Sequence, residues 1–483
     1  MRYRSRRLDA LLGVSLGRST FADWAALEDN PAAAEAEDLD YKIKYEADKA
    51  TGDSAADSIA IDVATFANHV GGVIVVGMAE VDLIPSKALK VDLSEKILRT
   101  YTDAVAAKVS PLPLFDVVPL EDPDTPGTGL ILIAVPPSPR APHCVIINAN
   151  SGVTKWPRRV GAQKVWLSEA EIYAAYQRRF TGIANRAARM TQVEADVIRR
   201  LVRNRPGLSL PQPVLIVSMV PDLPGDMTIN SAALADFRAD LADERLLPGA
   251  LSPMLTNQTV GPRRLIGYEP HREGVAWAEF HADGSASIAI PISRIIGSGA
   301  SSTVSHVHDA EIVLWIVGAL RLMARHATEK TATTGTATLS ARLLADVLTY
   351  DTDDVELGQM ISGRLRHQEW GGPAHLQVVT WPSIHGAPLR PIGDGETSNN
   401  AYAEWAAILE DLAADGRPLT AAAAELASAL FQNFGAAEAL QIWPDGTVNP
   451  TTWGDSWATA QRWVEESNIP CSTQPPIGAG ADE

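Results

Sequence analysis

The hydrophobic period changes twice between Leu39 and Met78, and these two changes restrict the possible folds more than any other feature of the chain. Leu39, Tyr41, Ile43 and Tyr45 alternate with Asp40, Lys42, Lys44 and Glu46, which predicts a strand with one buried face. In DSAADSIAIDVATFANHVGG the apolar residues Ile59, Val63, Phe66 and Ala67 recur at helical spacing, with Asp53 or Asp57 as N-cap and Gly71-Gly72 as the stop. VIVVGM follows at once as a short apolar strand. Strand, helix and strand in quick succession call for an α+β unit.

Later segments complete that unit. A helix over LSEKILRTYTDAVAAKV precedes FDVVPLE and GLILIAVPP, two strands joined by the turn-rich DPDTPGTG. HCVIIN and TKWPRRVG read as a final hairpin, and SEAEIYAAYQRRF as a closing helix with a capping-box start. The expected organisation is an N-terminal helical extension over 1–29 and an α+β domain with a mixed sheet and flanking helices over 30–181. A basic helix at 182–206 follows, where Arg186, Arg189, Arg199, Arg200, Arg203 and Arg205 face only Glu194 and Asp196. A solvated linker is its first reading and a helix gripping a nucleic-acid backbone its second.

A second α+β region is expected over 207–397. It contains the strand VLIVSMVP, a hairpin turning at Asp283-Gly284 within VAWAEFHADGSASIAIPI, the apolar helix DAEIVLWIVGALRLMARHA and the strand LQVVTW. Residues 398–468 are Ala-rich and expected to be helical, and 469–483 to be disordered. No internal repeat is evident.

Charge narrows the partners. Against 41 basic residues stand 59 acidic ones, a net charge of −18 that opposes nonspecific attachment to nucleic acid or anionic membrane. Within 35–180 the count is 15 Lys/Arg to 20 Asp/Glu, a net −5, so contact with a polyanion requires a local basic patch or a metal ion. Cys144 and Cys471 are too few and too far apart for a disulfide framework or a zinc knuckle, which favours a reducing cytoplasm. The opening MRYRSRRLDALLGVSLG is interrupted by Asp9 and lacks a small-residue cleavage site, and no run of about 18 apolar residues suggests a membrane span. A cytoplasmic protein is expected.

Candidate chemistry centres on Asp40-Tyr41-Lys42. A carboxylate and an ammonium on one strand face suit metal-dependent phosphodiester hydrolysis, in which acids hold Mg²⁺ or Mn²⁺ and lysine neutralises phosphate charge. Glu35 reaches the same place only if it lies on a turn before the strand, and Glu80 only if it projects from the end of VIVVGM. On the residues alone, these acids read first as solvated caps and strand ends. Lys155, Trp156, Arg158, Arg159 and Lys164 make a basic hairpin with an aromatic ring, suited to phosphate contact and stacking; Lys42 and Lys44 join them as candidate nucleic-acid contacts, and an ordinary amphipathic hairpin is the competing reading. In SHVHDAE, His306 and His308 fall on different helix faces, so capping by Ser305 or Asp309 is the better reading than a metal site with Glu311. Cys144 beside His143 reads as a strand residue rather than a nucleophile. No G-x-x-x-x-G-K-[ST] loop is present, which argues against P-loop ATP hydrolysis.

Five ordered blocks, Glu35-AEDL-Asp40-Tyr41-Lys42, FANHVGGVIVVGMAE, VPPSPRAPH, WPRRVG and LSEAEI, resemble the Schlafen AlbA-like domain family over roughly residues 30–180. Members of that family include metal-dependent endoribonucleases that cut structured RNA such as tRNA with three acids, and bacterial members are associated with anti-phage defence; others carry labels as DNA-binding or ATP-binding domains. The resemblance maps the acids onto Glu35, Asp40 and Glu80, the lysine onto Lys42, and the Arg-X-Gly onto Arg159 and Gly161. This chain has Asp40 where the family usually has glutamate, and Glu80 where aspartate is common. The resemblance implies a Mg²⁺- or Mn²⁺-dependent endoribonuclease acting on tRNA-like RNA, with Arg158 and Arg159 on the backbone; because a single copy of the domain offers a small surface for structured RNA, a homo-oligomer that builds a joint groove is expected. The alternative is a noncatalytic regulator that binds nucleic acid or nucleotide through the same fold.

Overall fold

Two short helices open the chain: α1 (Arg6–Leu12), capped by Ser5, and α2 (Phe21–Ala25), whose first turn carries a capping box between Thr20 and Asp23. They are not an extension. Leu8, Leu16, Trp24 and Leu27 are buried in one cluster with Leu39, Tyr41, Val73 and Leu132. The computed structural model describes residues 3, 5–47, 52–148, 150–204, 214–243, 255–270, 275–292, 304–344, 360–362, 375–380, 401–433 and 436–475, which fall into two units, Met1–Asn185 and Arg186–Glu483.

In the first unit β1 (Leu39–Lys42) runs parallel to β2 (Gly72–Val76), with Leu39 opposite Val73 and Lys42 opposite Val76. The connection carries α3 (Ala55–Ala67). Its N-cap is Ser54 rather than either expected aspartate: Ser54 N donates to Asp57 Oδ2 at 2.8 Å and Asp57 N to Ser54 Oγ at 3.2 Å, so Asp57 is the reciprocal third-position partner. Gly71 has φ +78 and its amide donates to Phe66 O at 3.1 Å, which turns the chain from helix to strand. VIVV is apolar throughout because both sheet faces are covered. Ile74 and Val76 pack with Ile59, Val63 and Phe66 of α3, while Val73 and Val75 pack with Trp24 and Tyr41.

The chain continues through β3 (Met78–Val81) and β4 (Ile84–Ala88), a separate two-stranded hairpin, then β5 (Val91–Asp92), α4 (Glu95–Lys108) and β6 (Val109–Ser110), which pairs with a later strand, and then β7 (Asp116–Glu121) and β8 (Thr128–Val135). β8 lies antiparallel between β2 and β7, giving the order β1-β2-β8-β5 with β7 also paired to β8. The expected final hairpin is split. β9 (Cys144–Asn148) pairs with β10 (Val153–Lys155), while β11 (Pro157–Val160) pairs with β12 (Gln163–Trp166). Pro157 has no amide hydrogen with which to continue a ladder, so TKWPRRVG divides there.

α5 (Glu169–Asn204) joins the expected closing helix and the expected basic linker into one element of 36 residues. Ser168 and Glu171 form its capping box. Its basic part is not solvated throughout: Val193, Val197, Ile198 and Leu201 are buried, Arg186 pairs with Asp222 at 3.0 Å, and Arg189 donates to Asp283 Oδ2 at 3.0 Å and Ser285 Oγ at 2.9 Å. Arg205 lies outside the described residues.

The second unit is built on a seven-stranded sheet in the order Asn257–Gly261, Arg264–Pro270, Val275–His281, Ala286–Pro291, Val214–Pro221, Thr336–Leu344, Ala401–Ile408. The Asp283-Gly284 hairpin is as expected. The buried helix Asp309–Arg325 packs on this sheet. Residues 401–408, expected to be helical, form the last strand, paired with 336–343. Ladder pairing overrides the helix preference of alanine here, burying Ala401 and Ala403 and stacking Arg342 over the Tyr402 ring at 4.3 Å. Ser305, His306 and His308 lie on the strand Val304–His308, and Asp309 starts the helix, with its carboxylate accepting from Ala310 N and Gln441 Nε2, both at 2.8 Å. The expected disordered end is ordered through residue 475, with Ile469 buried and the Trp443 indole donating to Ser472 O at 2.9 Å; 476–483 lie outside the described residues. No helix among the described residues is long and apolar enough to cross a membrane.

Candidate functional site

Glu35 lies on a turn before β1, the position its convergence with Asp40 required. The turn is closed by the reciprocal bonds Ala36 N to Leu39 O (3.1 Å) and Leu39 N to Ala36 O (3.4 Å). Glu35 N donates to Leu83 O at 2.8 Å, which ties this turn to the β3–β4 hairpin carrying Glu80. As a result the Glu35 carboxyl lies within hydrogen-bonding reach of both Asp40 and Glu80. The structure thus brings the three acids together beside Lys42.

The oxygens of Asp40 and Glu35 are already engaged. Asp40 Oδ2 pairs with Lys42 Nζ at 2.6 Å, and Asp40 Oδ1 with Arg159 Nη1 at 3.4 Å. Glu35 Oε1 accepts from Tyr41 N at 3.0 Å, and Glu35 Oε2 lies 3.8 Å from Arg159 Nη2. Burial pushes the Asp40 carboxyl above the ordinary carboxylate range despite the nearby Lys42 ammonium. Glu35 is likewise raised, chiefly by burial, against the opposing bond from the Tyr41 amide. Burial acts to lower Lys42, but the carboxylates of Asp40 and Asp62 outweigh it and raise its pKa.

Arg159 belongs to the framework rather than to a phosphate-binding surface, which corrects the expectation for this residue. Only 3% of it is exposed. Its Nε donates to Ala36 O at 2.8 Å and Gly161 O at 3.1 Å, its Nη2 donates to Leu39 O at 2.9 Å, and its guanidinium lies 4.8 Å from the centre of the Phe66 ring. The other nominated cations also have acid partners: Lys44 with Glu46 (2.5 Å), Lys155 with Asp53 (2.7 Å), Arg158 with Glu171 (3.2 Å), and Lys164 with Asp62. The basic hairpin exists, but its charge is largely spent within the chain.

A divalent ion would need carboxylate oxygens facing a shared vacancy. Here the Asp40 oxygens face Lys42 and Arg159 instead, and among the described residues no group of three or more His, Cys, Asp or Glu is arranged to hold a metal. As positioned, the donor set does not fit Mg²⁺ or Mn²⁺.

Sequence reasoning missed two organising residues. Asp62, buried on α3, accepts from Tyr45 Oη at 2.8 Å and pairs with Lys164; a lone charge within IAIDVATFA was the available signal. The Asn68 side chain donates to His143 O and Pro157 O, both at 2.8 Å, and accepts from His143 N at 2.6 Å, fastening β9 and β11 to the end of α3. His143 itself is buried and its pKa is pushed down to about 4, so it is neutral near pH 7; Cys144 is a strand residue with its thiol pKa raised by burial.

Residues 35–168 match the family model described as Schlafen, AlbA_2, so this segment is a Schlafen/AlbA-like, nucleic-acid-associated domain. No curated protein matches the chain. A solved structure of the DIP2311 protein from Corynebacterium diphtheriae aligns with 50% of this chain and 37% of its own length, at 16% identity and a TM-score of 0.23, a likeness too slight to carry an argument.

Proposed function

We propose that the Schlafen/AlbA-like domain serves as a noncatalytic nucleic-acid-binding regulatory module, with its acid cluster compensated by the chain's own cations. The observation that carries this reading is Arg159, buried against Glu35 and Asp40 and bonded to three backbone carbonyls. A buried guanidinium with this many bonds is costly to displace. The test combines binding and cleavage: the full chain is incubated with labelled tRNA and Mg²⁺ or Mn²⁺, following anisotropy and RNA integrity together. Binding with intact RNA under both metals supports the module; cleavage abolished by Asp40→Ala and by Glu80→Ala would overturn it.

A second reading is a divalent-metal-dependent endoribonuclease acting on tRNA-like RNA in anti-phage defence, assembled as a homo-oligomer. The convergence of Glu35, Asp40 and Glu80 favours it. It requires Lys42 and Arg159 to leave Asp40 so that Mg²⁺ or Mn²⁺ can enter, and the same assay separates it from the first.

A further inference from the structure

The cations nominated from the sequence all have acid partners, so a nucleic acid held by this unit needs other groups. Two arginines supply them. Arg140 and Arg179 have no carboxylate partner among the described residues, and both lie close enough to His143 to depress its basicity. Beside them on α5, Tyr173, Tyr176 and Phe180 follow one another at spacings of three and four, which places them along one helix face. Tyr176 and Phe180 stack with ring centres 6.4 Å apart and planes 23° from parallel, and Trp156 meets Tyr176 edge-on at 6.1 Å. Tyr173 is 61% and Phe180 62% exposed, so both rings are open to a ligand.

We propose that this face, with the rings of Trp156, Tyr173, Tyr176 and Phe180 and the guanidiniums of Arg140 and Arg179, binds single-stranded nucleic acid. Bases stack on the exposed rings and the arginines take the phosphates, a combination that tolerates any sequence because every base has a π-face. The inference rests on the binding reading above and assigns that binding a surface. Charge decides against a second copy of this chain as the occupant: self-pairing would bring two sets of uncompensated arginines together, whereas a polyanion neutralises them.

The test uses the full chain and fluorescein-labelled single strands of about 12 nucleotides, one RNA and one DNA, within the span such surfaces cover. Tyr173→Ala/Phe180→Ala should weaken both by at least about tenfold at fixed salt, the loss expected for one or two stacked bases. Arg140→Gln/Arg179→Gln should flatten the dependence of affinity on salt. Both pairs include highly exposed positions, and circular dichroism checks that the fold is kept. Unchanged affinity in the aromatic variant, with wild type still binding, overturns this surface alone. A variant that shifts from dimer to monomer in sedimentation while keeping its affinity identifies a self-association face and also overturns it. Failure of wild type to bind either strand overturns this surface together with the binding reading.

Discussion

Replacing Arg159 by methionine tests whether the guanidinium is the central pin of the first unit. The substitution keeps most of the apolar stem but removes the bonds to Ala36 O, Leu39 O and Gly161 O and leaves Glu35 and Asp40 with less compensation. At 3% exposure, water replaces little of this. Removing one member of a buried pair costs about 3–5 kcal/mol, and about 4 kcal/mol is expected here rather than the sum of every bond, because the terms share one side chain. Hydrogen exchange of peptides covering β1 and β11 in the full chain reads the effect locally: about 4 kcal/mol corresponds to roughly a thousandfold faster opening. Acidification protonates Glu35 and Asp40 and removes the charges that Arg159 balanced. The deficit should therefore be largest near neutrality and shrink as pH falls. Less than tenfold acceleration, or a deficit that grows in acid, would refute the assignment.

Three further outcomes follow from the same geometry. Because the Glu35 and Asp40 pKa values are raised, the folded state holds more protons than the unfolded chain above the ordinary carboxylate range; their contribution to stability is recovered as pH falls through the folded values and lost as it rises, so Asp40→Asn should flatten the wild-type dependence in urea titrations between about pH 4 and 8. Gly72→Ala would place a Cβ 2.3 Å from Phe66 ring carbons and 2.9 Å from Asp38 O, and should cost about 2–3 kcal/mol through overpacking, measured as a lowered urea midpoint of the first unit. In the second unit, Glu279 is fully buried, pairs with Arg264 at 2.8 Å and accepts from the Trp277 indole at 3.0 Å; Glu279→Ala should destabilise that unit by about 3–5 kcal/mol in thermal unfolding, and a change below 1 kcal/mol would contradict the buried-pair reading.

The legible features were those in which neighbouring residues carry the information. Alternation over Leu39–Tyr45 marked the start of β1, although the strand ends at Lys42, Asp40 is buried and Ile43 is exposed; the helical spacing of Ile59, Val63 and Phe66 marked α3, and Asp283-Gly284 marked its hairpin. The ordered blocks of the family resemblance brought Glu35, Asp40 and Glu80 into one expectation, and the structure places them together. The strand at 401–408 was not legible, because its alanines favour a helix until a neighbouring strand offers a ladder. Nor was the join of the closing helix to the basic segment, because Gly182 and Asn185 are residue types that commonly end a helix, yet the helix runs through both.

Residue type and period, acting within a few residues, determined the strand, the helix and the candidate acids. The tertiary structure alone decided which cation meets which carboxylate. Arg159 bonds to Leu39 across 120 residues of chain, and its burial against Glu35 and Asp40 exists only once α3, β1 and β11 have packed. The same packing uses up the hairpin's charge and leaves Arg140 and Arg179 without acid partners beside exposed rings, because electrostatic pairing depends on distance in space and not on separation along the chain.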